Sequence, residues 1–379
     1  MLKISIIIRQ YCNLMNLRHL IIPGSFFPSL GGAQGSMLNF VQLLGNKKLI
    51  YVALGLRGFK YSAFKKRQFS LTFPYLGKLL NIDFYVVLIL FLYKVLYKPD
   101  IIWLYGGGIF SAKVLKYRWI FNKKVKFVLR SAGEDIQRDK IVNYGYDDES
   151  SERSLILDFY PKADFFWSLG DEITSEYLSL GIKKHKIIET GNLVIRPIDV
   201  DQQYNFADER IKIGVIGRYH PKKQFELAKD VVKIDKDKKY KFHFKTPGFF
   251  FNADTNHAEF HDGSAVNEMI NWPPIDVWNF YNKCDILLIT SRIESFGNVT
   301  FEAGLSGLVI LIQKDVTGGK LARELGFKVY TYDNFEPKSI IKGIKEIEKN
   351  ESNITRKKIY KDSLFSKELK SLIERVSNA

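Results

Sequence analysis

Two glutamates eight positions apart frame the run of sequence richest in reactive groups, Ser291-Arg292-Ile293-Glu294-Ser295-Phe296-Gly297-Asn298-Val299-Thr300-Phe301-Glu302-Ala303. The apolar residues 286–289 before it have the length and composition of a buried strand, and residues 298–305 follow a helical period. Glu294 then falls on the loop that leaves the strand and Glu302 about one turn inside the helix, so both carboxylates can face one ligand. Gly297 lets the backbone come close to that ligand at the helix start, where unpaired N–H groups and the positive dipole end favour a sugar hydroxyl or a phosphate oxygen. A carboxylate one turn further in can accept hydrogen bonds from both hydroxyls of a ribose. The plainer alternative is a solvated loop whose acids merely cap the helix.

A pair of cations stands one α/β unit earlier, in Gly214-Val215-Ile216-Gly217-Arg218-Tyr219-His220-Pro221-Lys222-Lys223-Gln224. A strand over 211–216 ends in Gly217-Arg218, and Lys223 follows five residues later at the entrance of a helix. Arg218 and Lys223 can bracket one anion, and fixed cations lower a barrier when negative charge builds on a departing diphosphate. Near the amino terminus, Pro28-Ser29-Leu30-Gly31-Gly32-Ala33-Gln34 forms a glycine turn between a first strand and an apolar helix over 37–44. Its spacing is not G-x-G-x-x-G, which argues against a nicotinamide-dinucleotide site. A fourth segment, Leu129-Arg130-Ser131-Ala132-Gly133-Glu134-Asp135-Ile136, closes another strand and offers Arg130, Glu134 and Asp135 to a sugar.

These segments need a scaffold that brings strand ends together. Short apolar runs at 20–22, 49–53, 101–104, 126–130 and 165–168 alternate with amphipathic stretches, the pattern of βαβ units with right-handed crossovers. The rhythm breaks near 191–193, and residues 196–209 are polar, a linker. It resumes with strands at 211–216, 240–244, 286–289 and 308–312 and helices at 224–233, 274–281 and 298–305. Residues 252–263, rich in Asn, Asp and Gly, read as a loop, and the chain from 338 onward is helical in period. The expected division is 1–190, a linker 191–210, a second domain 211–345 and a helical segment 346–379. The fold class is α/β, two Rossmann-like domains facing across a cleft.

The run from Glu294 to Glu302 resembles the E-x-F-G-x-x-x-x-E signature of the family 4 retaining glycosyltransferases, which have the two-domain GT-B architecture. The resemblance implies that Glu294 contacts the transferred sugar, that the backbone of Phe296, Gly297, Asn298 and Val299 holds its hydroxyls, and that Glu302 binds the donor ribose. Gly217-Arg218 and Lys223 match the family's Gly-Arg…Lys pair, with Gln224 a mild departure. The turn ending in Gly32 resembles the family's Gly-Gly-Ala loop, whose backbone approaches the donor diphosphate and the acceptor. Related enzymes place a histidine before the glycine of a His-Gly-x-Asp segment; Ala132 stands there instead, leaving Arg130, Glu134 or Asp135 for the acceptor or donor sugar. By the same resemblance the Trp272-Pro273-Pro274 turn borders the nucleobase pocket, though a rigid turn explains it equally well.

The resemblance further implies a nucleotide-diphosphate sugar as donor, a saccharide or lipid-linked saccharide as acceptor, a role in cell-surface polysaccharide synthesis, and no cofactor or metal. Proteins of this architecture use side-chain cations and a helix end where other transferases use a metal. A metal site has little support at His257 and His261, whose surroundings read as a loop, or at Asp147-Asp148, which lie in a Tyr/Ser/Glu loop with no strand before it.

Composition narrows the partners. With 57 Lys+Arg against 41 Asp+Glu the chain carries +16, which attracts polyanions. No nucleic-acid-binding motif accompanies that charge. The most membrane-like patch is Lys65-Lys66-Arg67 beside Phe64 and Phe69, so an anionic membrane surface is a candidate partner. Residues 79–96 are apolar but include Asn81, Asp83 and Lys94, and read as a buried helix rather than a span. The start, MLKISIIIRQ, has too short an apolar run and no cleavage site of the signal-peptide kind. Cys12 and Cys284 form no metal or disulfide pattern, which fits a reducing cytoplasmic compartment, on the inner face of a membrane. The rival readings are a sugar-nucleotide epimerase or hydrolase of the same architecture and a basic nucleic-acid-binding protein.

Overall fold

The computed structural model describes residues 17–23, 32–44, 51–52, 82–196, 210–217, 220–245, 258–261, 275–351 and 363–379. In the first part of the chain lie β1 (His19–Pro23), α1 (Gly32–Leu44), β2 (Tyr51–Val52), α2 (Ile82–Tyr97), β3 (Ile101–Gly106), α3 (Gly108–Lys116), β4 (Lys126–Ser131), α4 (Ser151–Phe159), β5 (Phe165–Ser168), α5 (Asp171–Ser179), β6 (Ile187–Glu189) and β7 (Val194–Ile195). The second part adds β8 (Ile211–Ile216), α6 (Phe225–Ile234), β9 (Tyr240–Lys245), β10 (Ala258–His261), α7 (Ile275–Asn282), β11 (Ile286–Ile289), α8 (Asn298–Leu305), β12 (Val309–Gln313), α9 (Gly319–Glu324), β13 (Val329–Tyr332), α10 (Pro337–Asn350), β14 (Ser363–Leu364) and α11 (Ser366–Ser377).

Two parallel sheets result, ordered β2-β1-β3-β4-β5-β6 and β10-β9-β8-β11-β12-β13. Parallel strands covered by helices on both faces need continuous apolar runs, which is why Ile101, Ile102, Trp103 and Leu104 are all buried. In each sheet the strand order reverses, between β1 and β3 and between β8 and β11. Such reversals open a crevice at the carboxyl ends of the strands, where α/β proteins bind ligands. The loop after β11, carrying Glu294, leaves from one of them. The two Rossmann-like sheets bear out the expected fold class.

The carboxyl terminus returns to the first unit. β14 pairs antiparallel with β7, Lys126 Nζ donates to the Ala379 carbonyl at 3.1 Å, and Arg375 Nη2 to the His185 carbonyl at 2.6 Å. One apolar cluster accordingly runs from Trp103 and Phe166 through Leu372 to Phe301 and Ile310, while Val231 and Ile344 pack the other face of the second sheet.

Three expectations need correction. Residues 258–261, read as loop, form an edge strand on β9, because backbone pairing there needs no apolar alternation. The apolar stretch at 79–96 yields α2, whose inner face (Tyr85, Val86, Ile89, Leu90) is buried, whereas Phe84, Phe91, Val95 and Leu96 are exposed. It is therefore a helix apolar on both faces rather than a buried one. The helix expected from residue 37 starts at Gly32, inside the glycine turn. Among the described residues no helix is long and apolar enough to cross a membrane.

Candidate functional site

The loop between β11 and α8 is held by contacts on both sides. Thr290 Oγ1 donates to the Lys223 carbonyl at 2.7 Å, and Arg292 N to the Lys222 carbonyl at 2.8 Å, which ties it to the turn after β8. It also docks on the first domain: Ser295 Oγ lies 2.5 Å from the Ala132 carbonyl and 3.1 Å from Gln137 Oε1, and Arg292 Nε is 2.8 Å from Asp139 Oδ2. The 132–139 segment and the 291–297 loop thus meet across the domains. The approach is close enough that a Cβ on Gly133 would stand 1.8 Å from Ser295 Oγ.

At the centre of this loop Glu294 is 7% exposed and forms an ion pair with Lys223 Nζ. Burial pushes its carboxyl pKa up, but the positive charges of Lys223 and then Lys222 outweigh burial and hold it below the usual value. Because the folded value is depressed, the charge contributes stability above the unfolded value, about 4.3, and that contribution is lost as pH falls through the folded value. The gap in thermal midpoint between the wild type and Glu294→Gln is therefore expected to narrow on acidification below about pH 4.3, read by calorimetry. A gap that stays constant with pH contradicts this.

Glu302, one turn into α8, accepts from Tyr281 Oη at 2.7 Å through Oε2. Burial raises its pKa, partly opposed by the Tyr281 bond and by Lys223. Gly297 has φ of 74°, in the left-handed region, and precedes α8 with no side-chain cap, so the first N–H groups of the helix are left to other partners. The ring of Phe296 is turned inward, stacked on Phe301 at 4.3 Å and edge-on to Phe365 at 5.5 Å. Only its backbone can serve a ligand. Val299 lines a small pocket with Lys223, Thr290, Ser291 and Ile216.

The remaining sequence candidates separate. Arg130 is 2% exposed, lies 4.2 Å over the Tyr105 ring, and donates through Nε and Nη2 to Asn192 Oδ1 at 3.2 and 2.6 Å. Asn192 Nδ2 in turn donates to Asn298 Oδ1 at 2.9 Å, so the arginine reaches the start of α8 through one residue. Asp135 is enclosed in the first domain, accepting from Ser131 Oγ and Tyr160 Oη, each at 2.5 Å. Burial raises its pKa against those two bonds. Glu134 is exposed. Gly32 opens α1, which packs against α8.

Arg218, the rest of the glycine turn (28–31), the Trp272-Pro273-Pro274 turn and His257 lie outside the described residues. Asp147 and Asp148 pair with Arg138. Among the described residues no three His, Cys, Asp or Glu side chains converge as a metal site. Asn192, Gln137, Ser295 and Tyr281 were not singled out from sequence. The break in pattern at 191–193 was the one signal pointing toward Asn192.

Residues 198–363 match the sequence profile of the family described as glycosyl transferases group 1. The solved structures similar to the whole chain are two-domain proteins of the same fold. Sucrose-phosphate synthase from Thermosynechococcus elongatus is 12% identical, covering 95% of this chain and 96% of its own, with a TM-score of 0.64. HepE from Anabaena, in complex with UDP and glucose, is 15% identical over 95% of both chains, with a TM-score of 0.61. UDP-GlcNAc 2-epimerase from Neisseria meningitidis, bound to UDP-GlcNAc, is 14% identical over 96% of this chain and 100% of its own, with a TM-score of 0.59. A search of curated proteins finds no match.

Proposed function

We propose that the protein is a retaining glycosyltransferase that moves a sugar from a nucleotide-diphosphate donor to a saccharide or lipid-linked saccharide, without a metal, in cell-surface polysaccharide synthesis at the cytoplasmic face of a membrane. The observation that carries this reading is the arrangement around α8: ionised Glu294 against Lys223, an uncapped helix start at Gly297, and Glu302 one turn further in. The profile match over 198–363 and the UDP and glucose bound in HepE support it.

In this reading Glu294 accepts hydroxyl bonds from the transferred sugar and the backbone at 296–299 holds the others. Glu302 binds the ribose through the acceptor capacity that Tyr281 leaves unused. Lys223, with Arg218 assigned by sequence, steadies the leaving diphosphate as charge grows on it. Among the described residues, Glu294 and Glu302 are assigned to the sugar and the ribose and Asp135 is enclosed by Ser131 and Tyr160, so none of these three serves as an inverting base in this reading. The leaving diphosphate oxygen then takes the acceptor's proton on the side it departs from, and configuration is kept. The cations and N–H groups do the work a divalent ion does elsewhere.

A panel of nucleotide sugars tests the reading. One donor is expected to raise the thermal midpoint, as a ligand at 100 times its Kd adds about 2.7 kcal/mol. Glu302→Gln should weaken that donor about ten- to a hundredfold, the worth of a hydrogen bond to a charged group. Unchanged affinity by calorimetry removes Glu302 from the ribose site. Turnover that needs no added saccharide and returns an isomerised donor favours an epimerase.

A further inference from the structure

The α2 helix is apolar on both faces, and its outer face has no counterpart in the mechanism. Phe84, Phe91 and Val95 are 56%, 54% and 50% exposed. Spaced at i, i+7 and i+11, they lie along one line of the helix, with Leu88 between them. Leu96 is 54% exposed at its end.

A second aromatic group adjoins the other end. Asp83, in the first turn of α2, is bonded to Lys113 and, at 2.9 Å, to Lys116, and the chain runs from Lys116 directly into Trp119, which is 71% exposed. Exposed lysines border the patch, Lys94 and Lys98 at the end of α2 and Lys123 and Lys124 just past Trp119. The acid on α2 is already matched by two lysines.

We infer that this face of α2, with Trp119, is a docking surface for an anionic lipid bilayer, with the helix lying in the plane of the interface. A helix of 16 residues is about 24 Å long, too short to span but enough to rest its side along the headgroup boundary. Aromatic side chains favour that depth, and the bordering lysines meet anionic headgroups. A second copy of the chain fits less well, because it would bring the same lysines to the contact with no free acid on α2 to meet them. The Lys65-Lys66-Arg67 cluster lies outside the described residues and carries no part of the inference, which also does not depend on the glycosyl-transfer reading.

Flotation of the full-length protein with vesicles of phosphatidylcholine, alone or mixed with phosphatidylglycerol, tests it. The mixed vesicles are expected to carry the protein, more weakly at high salt, and Phe91→Glu combined with Val95→Glu to lower the bound fraction about tenfold or more. Both positions are exposed, so the variant should keep the wild-type thermal midpoint. Brominated lipid should quench part of the tryptophan fluorescence, and Trp119→Phe should remove that part. Absence of binding, equal binding by the double variant, or quenching unaltered in Trp119→Phe overturns the proposal. A dimer in sedimentation equilibrium that the double variant splits would assign the face to a second copy instead.

Discussion

Lys223→Ala is expected to lower turnover by about two to three orders of magnitude, the usual effect of removing one group aimed at developing charge. The Michaelis constant for the donor should rise far less, because in the proposed mechanism the cation acts most on the diphosphate as it departs. The same substitution has a second consequence. It strands the Glu294 carboxylate, 7% exposed, without its ion-pair partner, and breaking a buried pair on one side costs about 3–5 kcal/mol. Combining Lys223→Ala with Glu294→Gln removes the stranded charge. The double variant should regain most of the lost stability by chemical denaturation yet remain as inactive as the single one. Recovery of turnover together with stability would mean that Lys223 only supports the fold.

Gly133→Ala should be comparably damaging from the opposite side of the domain contact. Gly133 has φ of 106°, a conformation that costs an L-residue about 1–2 kcal/mol. Its new methyl would also stand 1.8 Å from Ser295 Oγ and 2.5 Å from Gln137 Oε1. The loop carrying Glu294 must then shift away from the first domain, and a displacement of about 1 Å at a reacting centre can cost a hundredfold in rate. A fall in turnover on the order of a hundredfold with a modest drop in thermal midpoint is the expected result. Adding Ser295→Ala should restore part of the rate, since it removes the nearest obstructing atom. Full activity in Gly133→Ala would show that the two loops do not need this approach.

Much of the scaffold was legible because it rests on local pattern. The strands at 165–168, 211–216 and 286–289 and the helix at 298–305 coincide with their sequence limits, since each is a short apolar or periodic run bounded by polar or glycine residues. Edges were harder to see. β10 is a short strand whose pairing with β9 depends on backbone groups, and the start of α1 was hidden by Gly32, Gly35 and Ser36, which read as turn residues. Within the site, the two glutamates and Lys223 were visible from types and spacing. The contacts of Asn192, Gln137 and Ser295 were not, because each bonds a residue more than a hundred positions away. Arg130 was noticed as a reactive group, but its link through Asn192 to Asn298 exists only once both domains are assembled. Similarly, the apolar character of α2 was plain from composition, whereas which of its faces met solvent depended on what packs beneath it.

The most direct test of sugar transfer with retention uses the donor that raises the thermal midpoint, in the presence of EDTA, and follows by proton NMR the first free sugar released to water before it mutarotates. The coupling constant of the anomeric proton reports which face was attacked. The arrangement of Lys223, Glu294 and the helix start at Gly297 predicts release of the anomer present in the donor, with a rate indifferent to the chelator. The opposite anomer as first product would contradict a retaining mechanism at this site.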